Sequence, residues 1–220
     1  MSTARYLSPE ERERLLAQLT NPRDRLFAVL GLNTGLRVSS LLTLRWGQLI
    51  QNGQPASAIE IARRDLKNGR SKNRRRVSTR RIPLNAAATA AIREFAFGKF
   101  GSGLPPMDKY VFASRKRFPG VISRKQAHRL IANAAKRAGL EGTVAPHSLR
   151  RVFARSCYRA SGYDIVGTAI LMGHASFLSS VAYLRPDPAE LAHVYAKLDA
   201  PGAEARPPLL LPVALNHHAP

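Results

Sequence analysis

The sequence predicts a mainly helical fold carrying one small antiparallel β-sheet, an α+β domain. Three features support this expectation. Apolar residues recur at intervals of three and four along most of the chain, helix-opening signatures precede several of those runs, and only a few short segments are β-branched and bounded by turn residues.

Ser8, Pro9 and Glu11 form a capping-box pattern with proline at the first helical position, opening a helix with Leu15, Leu16 and Leu19 on one side. Asn21-Pro22 starts a second through Leu26, Phe27, Val29 and Leu30 that stops near Gly35, and a short helical run follows from Val38 to Leu44. Ala58 to Ala62 and Arg81 to Leu84 are the expected strands of the sheet. Helix resumes at Asn85 and runs to about Phe97, Gly98 to Pro106 is a loop, and Val111-Phe112 reads as one more short strand. Ser123 to Gln126 is a second capping box, whose helix turns Leu130, Ile131, Ala134 and Ala135 inward and ends at Gly139. Pro146 marks the next boundary. From His147 to Ser161, Leu149, Val152, Phe153 and Cys157 keep helical spacing until Gly162. Asp164 caps a helix ending at Gly173, another contains Val181 and Tyr183, and Asp187-Pro188 opens a last one through Leu191, Val194, Tyr195 and Leu198. The predicted domain therefore spans residues 1–199, and residues 200–220, rich in proline and alanine without an apolar stripe, are expected to be a flexible tail.

At 220 residues and 45% hydrophobic composition the chain can bury one sizeable core. Its 35 Lys and Arg against 14 Asp and Glu leave a net charge of +21, which repels itself unless an anionic partner lies against it, and nucleic acid is the default partner. Cys157 is the only cysteine, which excludes an intrachain disulfide and a thiolate zinc cluster and reads as an apolar filler. No signal-peptide core opens the sequence and the apolar stretch near the end is broken at Pro212, so a cytoplasmic protein with no membrane partner is expected. The most basic stretch lies between the two predicted strands: Arg63, Arg64, Lys67, Arg70, Lys72, Arg74, Arg75, Arg76, Arg80 and Arg81, opposed only by Asp65. It reads as a hairpin laid on DNA.

Several residues suit phosphate chemistry. His147 and Arg150, three apart on a predicted helix, share one face and can grip one anion. Arg37 follows Thr34-Gly35, where the chain can turn sharply and aim a guanidinium whose fork matches a phosphate. His174 sits at a helix junction beside Gly173, and Tyr183, one of six tyrosines, becomes a nucleophile if its phenolate forms next to cations. Taken singly, each is more often a basic helix face, a surface contact, a structural histidine or a packed ring.

Their order is more specific. Thr34-Gly35-Leu36-Arg37-Val38-Ser39, then His147-Ser148-Leu149-Arg150, then Leu171-Met172-Gly173-His174 with Tyr183 nine residues on, resembles the tyrosine recombinase or phage integrase family motif for motif, over roughly residues 7–198. The resemblance implies that family's catalytic-domain fold and a site-specific recombinase acting on double-stranded DNA, with no metal, nucleotide or other cofactor. It implies that Arg37 and Arg150 bind the non-bridging oxygens of the scissile phosphate, that His147 and His174 complete the cage, and that Tyr183 attacks to give a 3′-phosphotyrosine. The family's acid for the leaving oxygen is a lysine in the β-hairpin turn. Lys67, just before the turn pair Asn68-Gly69, is favoured over Lys72. Arg70, Lys72, Arg74, Arg75 and Arg76 are expected to contact the DNA backbone.

The chain departs from the family's pattern in three respects. Ser40 stands where many relatives carry an acidic residue, and Arg151 where histidine is frequent. The helical DNA-clamping domain of most relatives is not seen before the first predicted helix, so either a truncated or minimal recombinase or a partner protein that supplies the clamp is expected; self-association into a synaptic tetramer on DNA is a separate expectation. The stripe at Leu191, Val194, Tyr195 and Leu198 suits docking onto a neighbouring subunit or onto its own core. Two other readings stay open: a nicking-closing enzyme like the type IB topoisomerases, and a non-enzymatic basic DNA-binding or regulatory protein.

Overall fold

The structure, a computed structural model of the chain, describes residues 4–62, 79–114, 120–174 and 178–184, all within the unit Met1–Arg185. Lys67, Arg70, Lys72, Arg74, Arg75 and Arg76, the last predicted helix and residues 200–220 lie outside the described residues.

Helix α1 spans Pro9–Ala17 and opens on the expected capping box, in which Ser8 Oγ accepts from the Glu11 N–H and Glu11 accepts from the Ser8 N–H. Helix α2, Pro22–Thr34, is capped by Asn21 and buries Leu26, Phe27, Ala28, Val29, Leu30 and Gly31 in succession. A helix apolar on all sides must be surrounded, and α2 is the central rod against which α5 and α7 pack. Two short helices follow, α3 at Val38–Leu42 and α4 at Trp46–Leu49. The first stops two residues earlier than expected, and the second is too short to leave a periodic pattern.

Two small antiparallel pairs come next. Strands β1 (Ile50–Gln51) and β2 (Gln54–Pro55) are joined at Asn52-Gly53, both at positive φ. Strands β3 (Ala58–Ile61) and β4 (Arg80–Pro83) form the predicted sheet, pairing Ile59 with Ile82 and Ile61 with Arg80. The expected strand at Val111-Phe112 is absent. Those buried residues lie in a turn between isolated bridges, Arg45 with Tyr110 and Ala113 with Val121, because only single backbone bonds, such as Val111 N–H to Leu44, reach a neighbour.

The second half is helical: α5 (Ala86–Phe100), α6 (Arg124–Arg137, with the Ser123–Gln126 capping box), α7 (Pro146–Ala160), α8 (Ile165–Met172) and α9 (Leu178–Leu184). Helix α5 continues one turn beyond the predicted end, and its Phe95 and Phe100 rings pack on Trp46 with centroids 5.4 and 5.2 Å away. One apolar cluster runs from Leu7 through α2 to Val152. Helices α7, α8 and α9 pack on one another, and with the end of α2 and strand β4 they bring the candidate residues to one place.

Candidate active site

The Thr34-to-Arg37 turn is built from buried polar bonds. Thr34 Oγ1 donates to the Leu30 carbonyl at 2.6 Å and accepts from the Leu36 N–H at 3.3 Å. Gly35 ends α2 in the left-handed region at φ 58°, and a Cβ there would run into the Phe153 ring. Its carbonyl accepts from Arg150 Nη1, which fastens this turn to α7. Arg37 follows as the residue preceding α3, and Ser40 is buried one turn on.

Arg150, 2% exposed, is the centre of the cluster. Its Nη2 donates to the Met172 carbonyl at 3.0 Å and lies 2.8 Å from His174 Nε2. Its Nε is buried with no acceptor among the described residues, a donor left for a ligand to satisfy. The guanidinium carbon sits over the Tyr183 ring, 5.3 Å from its centre. His147, one turn before Arg150 on α7, packs its ring 4.8 Å from that of Tyr183, and the His174 ring is 5.1 Å from it. Arg151 turns elsewhere: its Nη1 donates to the Ala4 carbonyl at 2.9 Å.

These partners assign the protonation of His174. A guanidinium only donates, so Nε2 must accept from Arg150; the hydrogen is then on Nδ1 and goes to Ser180 Oγ at 2.7 Å. Burial, then the charges of Arg150, Arg37 and Arg80, drive the His174 pKa down to about 4. His147 is lowered as well, by desolvation of its ring first and then by Arg150, Arg151 and Arg37, although the residue as a whole remains exposed. Both imidazoles are therefore neutral near pH 7. Cys157 is pushed up to about 11 by burial and is not a reactive thiol.

The structure thus brings together His147, Arg150, His174 and Tyr183, with Arg37 close enough for its charge to act on both histidines and on Arg150. Lys67 and Lys72 lie outside the described residues. One neighbour was not singled out as a site residue by sequence: Arg80 of β4, whose Nη1 donates to the Met172 carbonyl at 3.3 Å and whose Nη2 donates to that of Leu171. Burial, Arg150 and Arg37 lower its pKa to about 10. Sequence showed it only as one of ten bases in a row. Among the described residues none of Arg37, Arg80 and Arg150 pairs with a carboxylate, and no group of three His, Cys, Asp or Glu suits a metal ion. Chemically, cations and neutral imidazoles gathered around a phenol suit an anion and could stabilise charge on a phosphate.

The comparisons with known proteins show the family. The phage integrase family model matches residues 5–190. The tyrosine recombinase XerC of Xylella fastidiosa strain 9a5c is 32% identical over 173 residues, 79% of this chain and 52% of that protein. XerC of Xanthomonas axonopodis pv. citri is 32% identical over 174 residues, 79% of this chain and 50% of that protein. The chain thus spans about half the length of these relatives. Among solved structures, the XerA recombinase superposes with a TM-score of 0.67 at 25% identity, covering 90% of this chain and 65% of that one. The XerH site-specific recombinase in a post-cleavage complex with its palindromic difH substrate gives 0.64 at 20% identity, covering 91% and 54%, a likeness of fold.

Proposed function

The chain belongs to the phage integrase family, and on that footing we propose that it is the catalytic domain of a site-specific recombinase that cleaves and rejoins double-stranded DNA through Tyr183. The observation that carries this reading is the Tyr183 ring lying 4.8 Å from the His147 ring and 5.1 Å from the His174 ring, with the Arg150 guanidinium over it. The phenol oxygen attacks phosphorus, its proton passes to a neutral imidazole beside it, and the bond to the 5′ oxygen breaks, leaving a 3′-phosphotyrosine. Arg37 and Arg150 hold the non-bridging oxygens and His147 and His174 complete the cage. Lys67, with Lys72 as the alternative, protonates the departing 5′ oxygen. The retained ester energy lets a 5′-hydroxyl on another duplex reverse the step.

Arg70, Lys72, Arg74, Arg75 and Arg76 supply backbone contacts that add affinity without reading sequence. Strand exchange requires several protomers on DNA, up to a synaptic tetramer. Support for such self-association comes from the exposed apolar Val166, Ile170, Leu171 and Leu178 on α8 and α9, beside the site. Among the described residues no helix is long and apolar enough to cross a membrane.

The test is a suicide duplex nicked so that the short 5′-hydroxyl fragment diffuses away after attack. The full chain is expected to form an adduct that survives denaturation and disappears in Tyr183→Phe. An adduct formed equally well by the phenylalanine variant, or none with the unaltered chain on DNA that it binds, overturns the reading.

A further inference from the structure

Arg80 and Arg150 share an acceptor. The Met172 carbonyl, at the end of α8, takes Arg150 Nη2 at 3.0 Å and Arg80 Nη1 at 3.3 Å, while Arg80 Nη2 holds the Leu171 carbonyl. The last carbonyls of a helix have no partner within it and carry the negative end of its dipole. Here they hold two guanidiniums side by side that would otherwise repel. Gly173 is the second part of the device. It follows α8 at φ 61°, and a Cβ on it would lie 3.0 Å from Arg80 Nη1 and 3.1 Å from Nε and Cδ. The Arg80 side chain therefore lies flat across the turn that leads into His174.

We propose that Arg80 is a positioning residue for the reaction, its guanidinium clamping the Leu171 and Met172 carbonyls to strand β4 so that the next turn presents His174 to Arg150 and Tyr183. The proposal rests on the recombinase reading above. A second consequence follows from the repulsion. Three guanidiniums, of Arg37, Arg80 and Arg150, act on one another with no carboxylate among the described residues against them. The cluster is poised for an anion, and removing Arg80 relieves strain in the DNA-free protein while loosening His174.

His174 reports this directly. Among the described residues, the charged and titratable groups facing it are Arg150 on α7, Arg37 before α3, Arg80 on β4 and Tyr183 on α9, with the Ser180 hydroxyl on Nδ1 and His147 against the same Tyr183 ring. Without Arg80, one of the charges that hold its pKa down is gone.

The experiment compares the full chain with Arg80→Met, Arg80→Lys and Gly173→Ala. For Arg80→Met, single-turnover cleavage at saturating DNA is expected to fall ~100-fold, the scale set by misplacing a catalytic group by about an ångström. DNA affinity should fall much less, the thermal midpoint should not fall, and the acid limb of the rate profile should move to higher pH. Arg80→Lys can reach one carbonyl and should recover part of the rate. Gly173→Ala should reproduce the rate loss with Arg80 in place. An unchanged saturating rate in Arg80→Met, or a loss confined to affinity, overturns the proposal, as does a lowered thermal midpoint with no move of the pH profile. Should the unaltered chain fail to cleave, the recombinase reading fails. The His174 ring is then read by nitrogen-15 NMR in the DNA-free chain, where a titration identical in the unaltered protein and Arg80→Met overturns the clamp by itself.

Discussion

His174 binds its proton less readily in the folded chain than in the unfolded one, about 4 against an ordinary 6.5. A depressed value means that the fold prefers the neutral ring. That preference contributes in full above pH 6.5 and is lost as pH falls toward 4. His147 is shifted the same way and adds to the same limb. The expected outcome is a free energy of unfolding that drops through this window, with the His174 part bounded by about 1.4 kcal/mol per pH unit and reduced because the ring is partly open to solvent. Urea denaturation at a series of pH values checks it: His174→Gln should flatten the acid limb without erasing it, and an identical limb in the variant would refute the assignment of a neutral ring. The same neutrality suits the proposed chemistry. A ring that accepts from Arg150 through Nε2 is free to take a proton once a phosphate draws the guanidinium toward itself.

At the scale of elements, each half of the site depends on a helix end. Helix α8 begins at Asp164, whose Oδ1 accepts from the Val166 N–H at 2.8 Å, and ends in the carbonyls held by Arg80 and Arg150. Replacing Asp164 by Ala should cost ~1 kcal/mol of stability, the usual worth of an N-cap. It should leave cleavage at saturating DNA intact, because the opposite end of the helix carries the turn to His174; a rate loss as large as that of a site variant would show that α8 moves as a unit. Capped elements of this kind were legible in the sequence. Ser8 and Ser123 announced α1 and α6, and Asp164 with Gly173 bracketed α8. Asn52-Gly53 carried an equally good signal for the β1–β2 turn, but two-residue strands leave no alternation beside it to read. Val111-Phe112 misled because buried β-branched and aromatic residues look like a strand wherever they occur, and hydrogen-bond partners are a tertiary matter. The site divides the same way. Local motifs named Arg37, His147, Arg150, His174 and Tyr183, whereas the Gly35 carbonyl on Arg150 spans 115 residues and the Leu171 carbonyl on Arg80 spans 91. Charge along the chain marks a basic run and does not say which base turns inward.

At the scale of the whole molecule the governing quantity is the net charge of +21. Such a chain repels itself, and duplex DNA both relieves that repulsion and gives up its condensed counterions when lysines and arginines displace them. If the chain binds duplex DNA as proposed, affinity falls steeply with salt, and the slope counts phosphates. If Arg74, Arg75 and Arg76 each meet one phosphate, the triple Gln variant loses about 0.9 from the slope for each, close to 3 in total. On the proposed reading these side chains add affinity and take no part in the cage around Tyr183, so saturating DNA should restore the cleavage rate. Fluorescence anisotropy with a labelled duplex across a salt series measures the slope, and single-turnover cleavage measures the rate. An unchanged slope would remove these arginines from the interface. A slope reduced as expected, with a rate that saturating DNA does not restore, would move the basic stretch from the proposed binding surface into the reaction itself, the role proposed only for Lys67 or Lys72.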